Sequence, residues 1–183
     1  VSLIIFFSFF IFFVSVTSYL VFFIPKFEYI KIRIMTFINS SGGNNYQSEK
    51  ASEAIISGGF FGKGIGEGTL NNRIPEAHTD YIVSVISEEF GIIIILLIML
   101  SFIFFAYNIF KKIRDTNDNV FKMILIGLIS LLMMQAFVHV GVNLRVLPTT
   151  GMTLPYLSYG GSSIISISII SGIILNLTKR RVY

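Results

Sequence analysis

Four apolar runs, each long enough to cross a lipid bilayer, leave this chain few ways to fold. They lie at about 3–24, 81–107, 121–142 and 158–177, and a crossing takes roughly 20 mainly apolar residues at about 1.5 Å rise each. Inside lipid every backbone polar group has to be paired within the protein, and long unalternating runs achieve that as helices rather than barrel strands. Composition agrees with this reading. Of the 183 residues 54% are hydrophobic and 13% charged, with a mean hydropathy of +0.78, too little polar surface for a soluble globule of this length. The expected fold is therefore an all-α membrane protein, a single membrane domain over 1–183 with four transmembrane helices. The first run, Leu3 to Ile24, is uncharged and closed by Pro25 and Lys26. It reads as a span and not a signal peptide, because no basic region precedes it and no small-residue cleavage site follows. The chain starts at Val1 inside that run, and it is expected to be part of a longer protein.

Basic residues set the orientation. Lys111, Lys112 and Arg114, with Lys122 just beyond, mark a cytoplasmic loop at about 108–120, and Lys179, Arg180 and Arg181 mark a cytoplasmic end. That leaves a long extracytoplasmic loop after the first span, about 25–80, and a short one at about 143–157. The long loop carries Lys26, Lys31, Arg33, Lys50, Lys63 and Arg73, but long loops cross largely regardless of charge. The net charge of +4 thus reports topology, and no nucleic-acid partner is expected.

The absence of Cys removes disulfides, thiolate nucleophiles and Cys-based metal sites. With His78 and His139 the only histidines, there is no metal-ligand signature either. The Gly-rich stretch Gly58–Gly68 suggests a phosphate cradle, yet Ser57 and Gly64 stand where a P-loop needs Gly and Ser or Thr, and Glu67 breaks a dinucleotide fingerprint. A flexible turn is the reading left by local evidence. Next, Pro75 suits a first helical position, and Glu76, Asp80, Ser84 and Glu88 fall at successive i+4 positions, which predicts one polar helical face entering the second span. Carboxylates at membrane depth are costly unless they meet a partner or a wet cavity. On the third span Gln135, His139 and Asn143 share a face, a pattern that usually joins helices through hydrogen bonds. Ser162, Ser166, Ser168, Ser171 and Gly172 on the fourth predict close helix packing.

Taken together, several motifs resemble one family. These are Gly58-Gly59-x-x-Gly62-x-Gly64-x-Gly66, Pro75-Glu76-Ala77-His78-Thr79-Asp80-Tyr81, Glu88-Glu89-Phe90-Gly91, and Leu147 through Ser163 with its Ser158-Tyr159-Gly160-Gly161-Ser162 core, extended upstream by Arg33, Phe37 and Tyr46-Gln47. The chain resembles the SEDS family (shape, elongation, division and sporulation), polytopic bacterial peptidoglycan glycosyltransferases. Gly151-Met152-Thr153-Leu154-Pro155 looks like the division-type branch rather than the elongation-type. One departure is His139, where the family usually has Asn. The resemblance implies the C-terminal portion of a ten-helix fold in the bacterial cytoplasmic membrane, at the division septum. It also implies polymerisation of lipid II into β-1,4 glycan with release of undecaprenyl diphosphate, and as partners a class B penicillin-binding transpeptidase and other division proteins. Asp80 matches the family's catalytic aspartate and is expected to be the general base, made more basic by partial desolvation. Expected substrate-binding residues are Lys63, Arg73, Glu76, His78, Thr79, Glu88, Arg145, Ser158, Gly160, Gly161 and Ser162. Lys63, Arg73 and Arg145 would balance phosphate charge, with a divalent cation (Mg or Mn) as a possible aid and no organic cofactor. A lipid-linked precursor transporter and a non-catalytic division scaffold are the alternatives, and residues 1–183 alone are expected to be inactive.

Overall fold

The computed structural model describes residues 2–38, 46–74 and 77–179, and it places no strand among them. The chain divides into two compact units, Val1–Asn45 and Tyr46–Tyr183, where the sequence suggests one domain.

In the first unit, α1 (Ser2–Phe23) is followed by a single 3-10 turn, Pro25–Phe27, and by α2 (Glu28–Ile38). Pro25 causes the break. It lacks an N–H, and it forces Ile24 out of the helical region to φ −97°, ψ 122°. The two helical stretches meet at 92°. Within α1, the Thr17 hydroxyl donates to the Phe13 and Val14 carbonyls at 2.9 and 3.0 Å, which hides its polarity in an apolar helix.

The second unit holds α3 (Tyr46–Gly58), α4 (Leu70–Arg73), α5 (Ile82–Phe90), α6 (Ile92–Asp115), α7 (Asn119–Asn143) and α8 (Gly161–Thr178). Three of these, α6, α7 and α8, are long and apolar enough to cross a membrane, and a fourth crossing is reached if the bent α1/α2 pair counts as one. Asp118 caps α7, its side chain accepting from the Val120 N–H at 2.8 Å. Phe102, Ala106, Ile109 and Ile113 of α6 pack on Leu125, Ile129, Leu132 and Ala136 of α7, with Ile174 of α8 and Leu154 completing the cluster. The three- and four-residue spacing along each helix gathers these side chains on one face. The opposite face of α6 exposes Leu96, Leu97, Leu100 and Phe104, as expected of a helix solvated by lipid. A second cluster, Ala51, Ala54, Leu70, Ile74, Ala77, Tyr81 and Val85, joins α3, α4 and α5.

Three sequence expectations are corrected. The run at 81–107 is not one helix: it breaks at Gly91, whose φ of 84° and ψ of 171° only glycine adopts freely. The spanning part begins at Ile92 and continues to Asp115, so α5 lies before the span. The stretch expected as a long loop at 25–80 instead contains α2, α3 and α4. Finally, the α8 serines pack the helix against its neighbours only in part: Ser162, Ser166 and Ser168 are exposed, the hydroxyls of Ser166 and Ser168 returning to carbonyls four residues back, while Ser171 is half-buried and its hydroxyl pairs with that of Tyr156. The buried positions of α8 are Ile167 and Ile174.

Candidate active site

The glycines of 58–66 bring two backbones together. A Cβ on Gly58 would stand 2.1 Å from the Ser87 carbonyl oxygen, and one on Gly91 would stand 2.1 Å from that of Phe60. Into this close approach run three hydrogen bonds: Lys63 N–H to the Glu88 carbonyl (2.9 Å), Gly64 N–H to that of Glu89 (3.0 Å), and Ile92 N–H to that of Gly59 (3.0 Å). The stretch is thus a backbone splint for the end of α5 and the start of α6.

Glu88 sits inside that splint, 1% exposed. Its carboxylate accepts from Lys63 Nζ at 2.7 Å, from the Thr69 and Leu70 N–H groups at 3.0 Å each, and from Thr69 Oγ1 at 3.1 Å. A carboxylate from α5 therefore serves the free N–H groups at the start of α4. Burial pushes the Glu88 carboxyl up, but the Lys63 ammonium and the Leu70 and Thr69 donors outweigh it and hold it below its usual range. Glu88 and Lys63, both expected to bind substrate, are committed to each other.

The segment 77–81, a turn leading into α5, is held through three successive carbonyls. Tyr159 N–H donates to His78 O at 3.1 Å. Thr79 O accepts from Ser158 Oγ at 2.9 Å and from His139 Nε2 at 3.3 Å, an arrangement that assigns His139 the Nε2–H tautomer. Asp80 O accepts from Asn143 Nδ2 at 3.0 Å. Asn143 is the hub: fully buried, it also donates to His139 O at 2.9 Å and accepts from Ser84 N–H at 3.2 Å and Ser84 Oγ at 2.8 Å. Ser84 lies in the first turn of α5, so its N–H has no partner within the helix. Gln135 Nε2 adds a donor to Thr153 O at 2.9 Å. The α7 stripe of Gln135, His139 and Asn143 thus joins elements, as its spacing suggested, and what it joins is the Asp80 turn to the 148–160 loop.

Asp80 itself is half-buried, and its Oδ2 lies 3.8 Å from where a Gly151 side chain would begin. Asp80 lies in the 77–81 turn before α5 and does not ride on the helix, so it does not continue the helical face of Ser84 and Glu88 as expected; Pro75 and Glu76 lie outside the described residues. His78 is exposed. Ser158 is buried, and it accepts from Leu154 N–H at 2.7 Å while gripping Thr79. Gly160 precedes α8, and Gly161 and Ser162 are exposed in its first turn, tied to the loop through Ser163 Oγ and Thr153 Oγ1 at 2.6 Å. Arg145, at φ 57°, lies 4.0 Å from Glu49, and Arg73 is exposed at the end of α4. Asn143, Ser84, Tyr159 and Gly151 also surround the turn; the sequence marks them as members of polar stripes and motifs and not as substrate-binding residues.

Two cavities share Leu157. One, of about 380 Å³, is lined by His78, Ile82, Leu157 and Tyr159. The other, about 390 Å³, is a mainly apolar groove lined by Ile98, Ser101, Phe102, Phe105, Pro155 and Tyr156 and again by Leu157. A divalent cation would require hard oxygen ligands, and among the described residues no three His, Asp or Glu side chains converge.

Comparison with known proteins places these features. The family model described as "Cell cycle protein", covering FtsW, RodA and SpoVE, matches residues 1–183. A relative from Caulobacter vibrioides, named "Probable peptidoglycan glycosyltransferase FtsW", is 37% identical over 155 residues, 85% of this chain and 40% of its own. Relatives of the same name from Enterococcus hirae and Bacillus subtilis are each 37% identical, over 76% and 78% of this chain and 36% and 35% of theirs. The chain therefore spans about 40% or less of the length of these relatives. A solved chain described under "Structural coordination of polymerization and crosslinking by a peptidoglycan synthase complex" shares the fold, with a TM-score of 0.61 at 23% identity, over 91% of this chain and 47% of that one. With its apolar helices and its motifs in family order, the chain belongs to the cell cycle protein family of FtsW, RodA and SpoVE, the SEDS family, as a multi-pass membrane protein.

Proposed function

We propose that this chain is the catalytic C-terminal portion of a division-type peptidoglycan glycosyltransferase, with Asp80 as general base. The observation that carries the reading is the Asp80 turn: three consecutive backbone carbonyls are anchored by α7 and by the 154–159 segment, which holds the backbone of a half-buried aspartate in a turn whose His78 lines a cavity. A base works when it is held within reach of the proton it takes. In the reaction, a hydroxyl oxygen of the acceptor sugar forms a bond to the anomeric carbon of the donor. Asp80 takes the hydroxyl proton, and the bond from that carbon to the phosphate oxygen breaks, its electron pair leaving with undecaprenyl diphosphate. The apolar groove that shares Leu157 with the cavity at His78 supports a lipid-linked substrate, since it offers an isoprenoid chain a route from the bilayer. Arg73 and Arg145 are the candidates to meet diphosphate charge, whereas Lys63 is engaged by Glu88. No step is routed through a metal.

The orientation that suits this chemistry puts Lys111, Lys112 and Arg114 in the cytoplasm and the Asp80 turn on the outer face. The ten-helix context, the septal location, and a class B penicillin-binding transpeptidase and other division proteins as partners complete the reading. The test uses the complete protein with its transpeptidase partner in detergent and supplies lipid II. Asp80→Asn is expected to abolish glycan polymer while leaving assembly intact; polymer made at the parent rate would overturn the general-base role, and translocation without polymer would point to a transporter. Residues 1–183 alone are expected to give no polymer, because relatives of that name are more than twice as long.

A further inference from the structure

We propose that the tip of the Gly-rich splint, Phe60, Phe61 and Ile65, is a membrane anchor inserted into the headgroup and upper acyl region of the bilayer next to the Asp80 turn. The three side chains are among the most exposed large apolar groups of the protein, at 73%, 85% and 80%. They are not the chance exposures of a loose loop, because the backbone between and beside them is fastened at Gly59, Lys63 and Gly64 to the end of α5 and the start of α6. Lys63, the one charged residue between Phe60 and Ile65, turns inward to the buried Glu88. The outward side chains at 60, 61 and 65 are apolar, and beside them Lys63 keeps 34% of its side chain accessible and Glu67 is exposed, polar groups that suit the headgroup level.

Its depth follows from α6. Ile92 through Phe110 contains no charged residue and ends at Lys111; at about 1.5 Å per residue that run is roughly 28 Å long, close to the ~30 Å of a hydrocarbon core. Ile92 must then lie at the edge of the hydrocarbon. The Gly59 carbonyl accepts from the Ile92 N–H, and the Phe60 carbonyl oxygen touches Gly91, so the tip starts from that same edge. From the same edge α6 exposes Ile93, Leu96 and Leu97 over its first two turns. Aromatic and aliphatic groups at that level are stabilised by burying their apolar bodies at the interface. The inference is independent of the role given to Asp80.

The chain has no Trp, which makes the test direct. Phe61→Trp in the full chain is placed in phosphatidylcholine and phosphatidylglycerol nanodiscs with or without lipids brominated at the upper acyl positions, and Leu100→Trp in the middle of α6 serves as the lipid-exposed reference. The expected result is blue-shifted emission from the Phe61→Trp protein, quenched about twofold or more by the brominated lipid through contact at the headgroup and acyl boundary, and little affected by aqueous iodide. Ile65→Trp should report the same depth and guards against a local effect of the first substitution. Red-shifted emission quenched by iodide and indifferent to bromine would overturn the anchor, since the tip would face water. Emission blue-shifted but indifferent to both quenchers would overturn it equally, since protein would cover the tip.

Discussion

Replacing Asn143 with Ala removes one buried amide and strips partners from three separate groups. Ser84 N–H loses its acceptor at 3.2 Å, Ser84 Oγ loses one at 2.8 Å, and Asp80 O loses its donor at 3.0 Å. The hydroxyl can rotate toward another acceptor, but the N–H of a helix's first turn and the carbonyl of a turn cannot. At about 1–3 kcal/mol for each buried polar group left unpaired, the two backbone groups give a loss of about 3 kcal/mol after partial relaxation. For a chain of this size that corresponds to an unfolding midpoint lower by roughly 10 °C. Ser84→Ala alone, which keeps the N–H bond to Asn143, should lower it by only about 1 kcal/mol. The double variant should fall short of the sum of the two singles, because they share the 2.8 Å bond. The assay is thermal unfolding in detergent beside hydrogen exchange resolved over 78–86, where Asn143→Ala should expose the Ser84 amide most. A melting point within measurement error of the parent, with Ser84 exchange unchanged, would refute the view that Asn143 is the hub of the Asp80 turn.

Other outcomes follow from the same contacts. Gly58→Ala puts a Cβ 2.1 Å from the Ser87 carbonyl oxygen, so α3 must retreat from α5; a loss of about 1–3 kcal/mol is expected in thermal melts, whereas Gly127→Ala, which meets nothing within 4 Å, should be neutral or slightly stabilising. The Glu88 carboxyl is held below its usual range, so its contribution to stability is complete above the unfolded value and disappears as pH falls through the lower folded one. Acid titration of the melting point should show that decline in the parent and a flatter profile in Glu88→Gln, and identical profiles would contradict the assignment. Ser158→Ala frees Thr79 O from its 2.9 Å donor and should loosen the turn from the 154–159 side, read as faster exchange at Asp80 and Tyr81 with α6 and α7 unaffected.

How much of this could be read from the sequence depends on how far apart the causes lie. The spans were legible because a run such as 121–142 carries its own reason to be helical, and α7 departs from it by two residues at one end and one at the other. The α7 stripe was legible as a connector because Gln135, His139 and Asn143 repeat every four residues. The break at Gly91 was not, since the helix is interrupted by a carbonyl at Gly59, far upstream, and glycine alone is a weak signal within an apolar run. Glu88 and Lys63 looked like ligands for the same reason: nothing local announces that the start of α4 will fold over a carboxylate on α5. The Asp80 motif suggested a helical face where the structure has a turn gripped by its carbonyls.

The grip on that turn also decides which helix acts as its ruler. The residues that hold it from the bilayer, His139 and Asn143, lie near the end of α7, while Gly91 parts α5 from the span of α6. Adding one residue to the middle of α7 would rotate both donors by about 100° and advance them about 1.5 Å, taking them out of register with Thr79 and Asp80. An added residue after Phe110 in α6 alters only the inner end of that helix. Phase along α7, more than the length of any span, is what keeps the Asp80 carboxylate at its post.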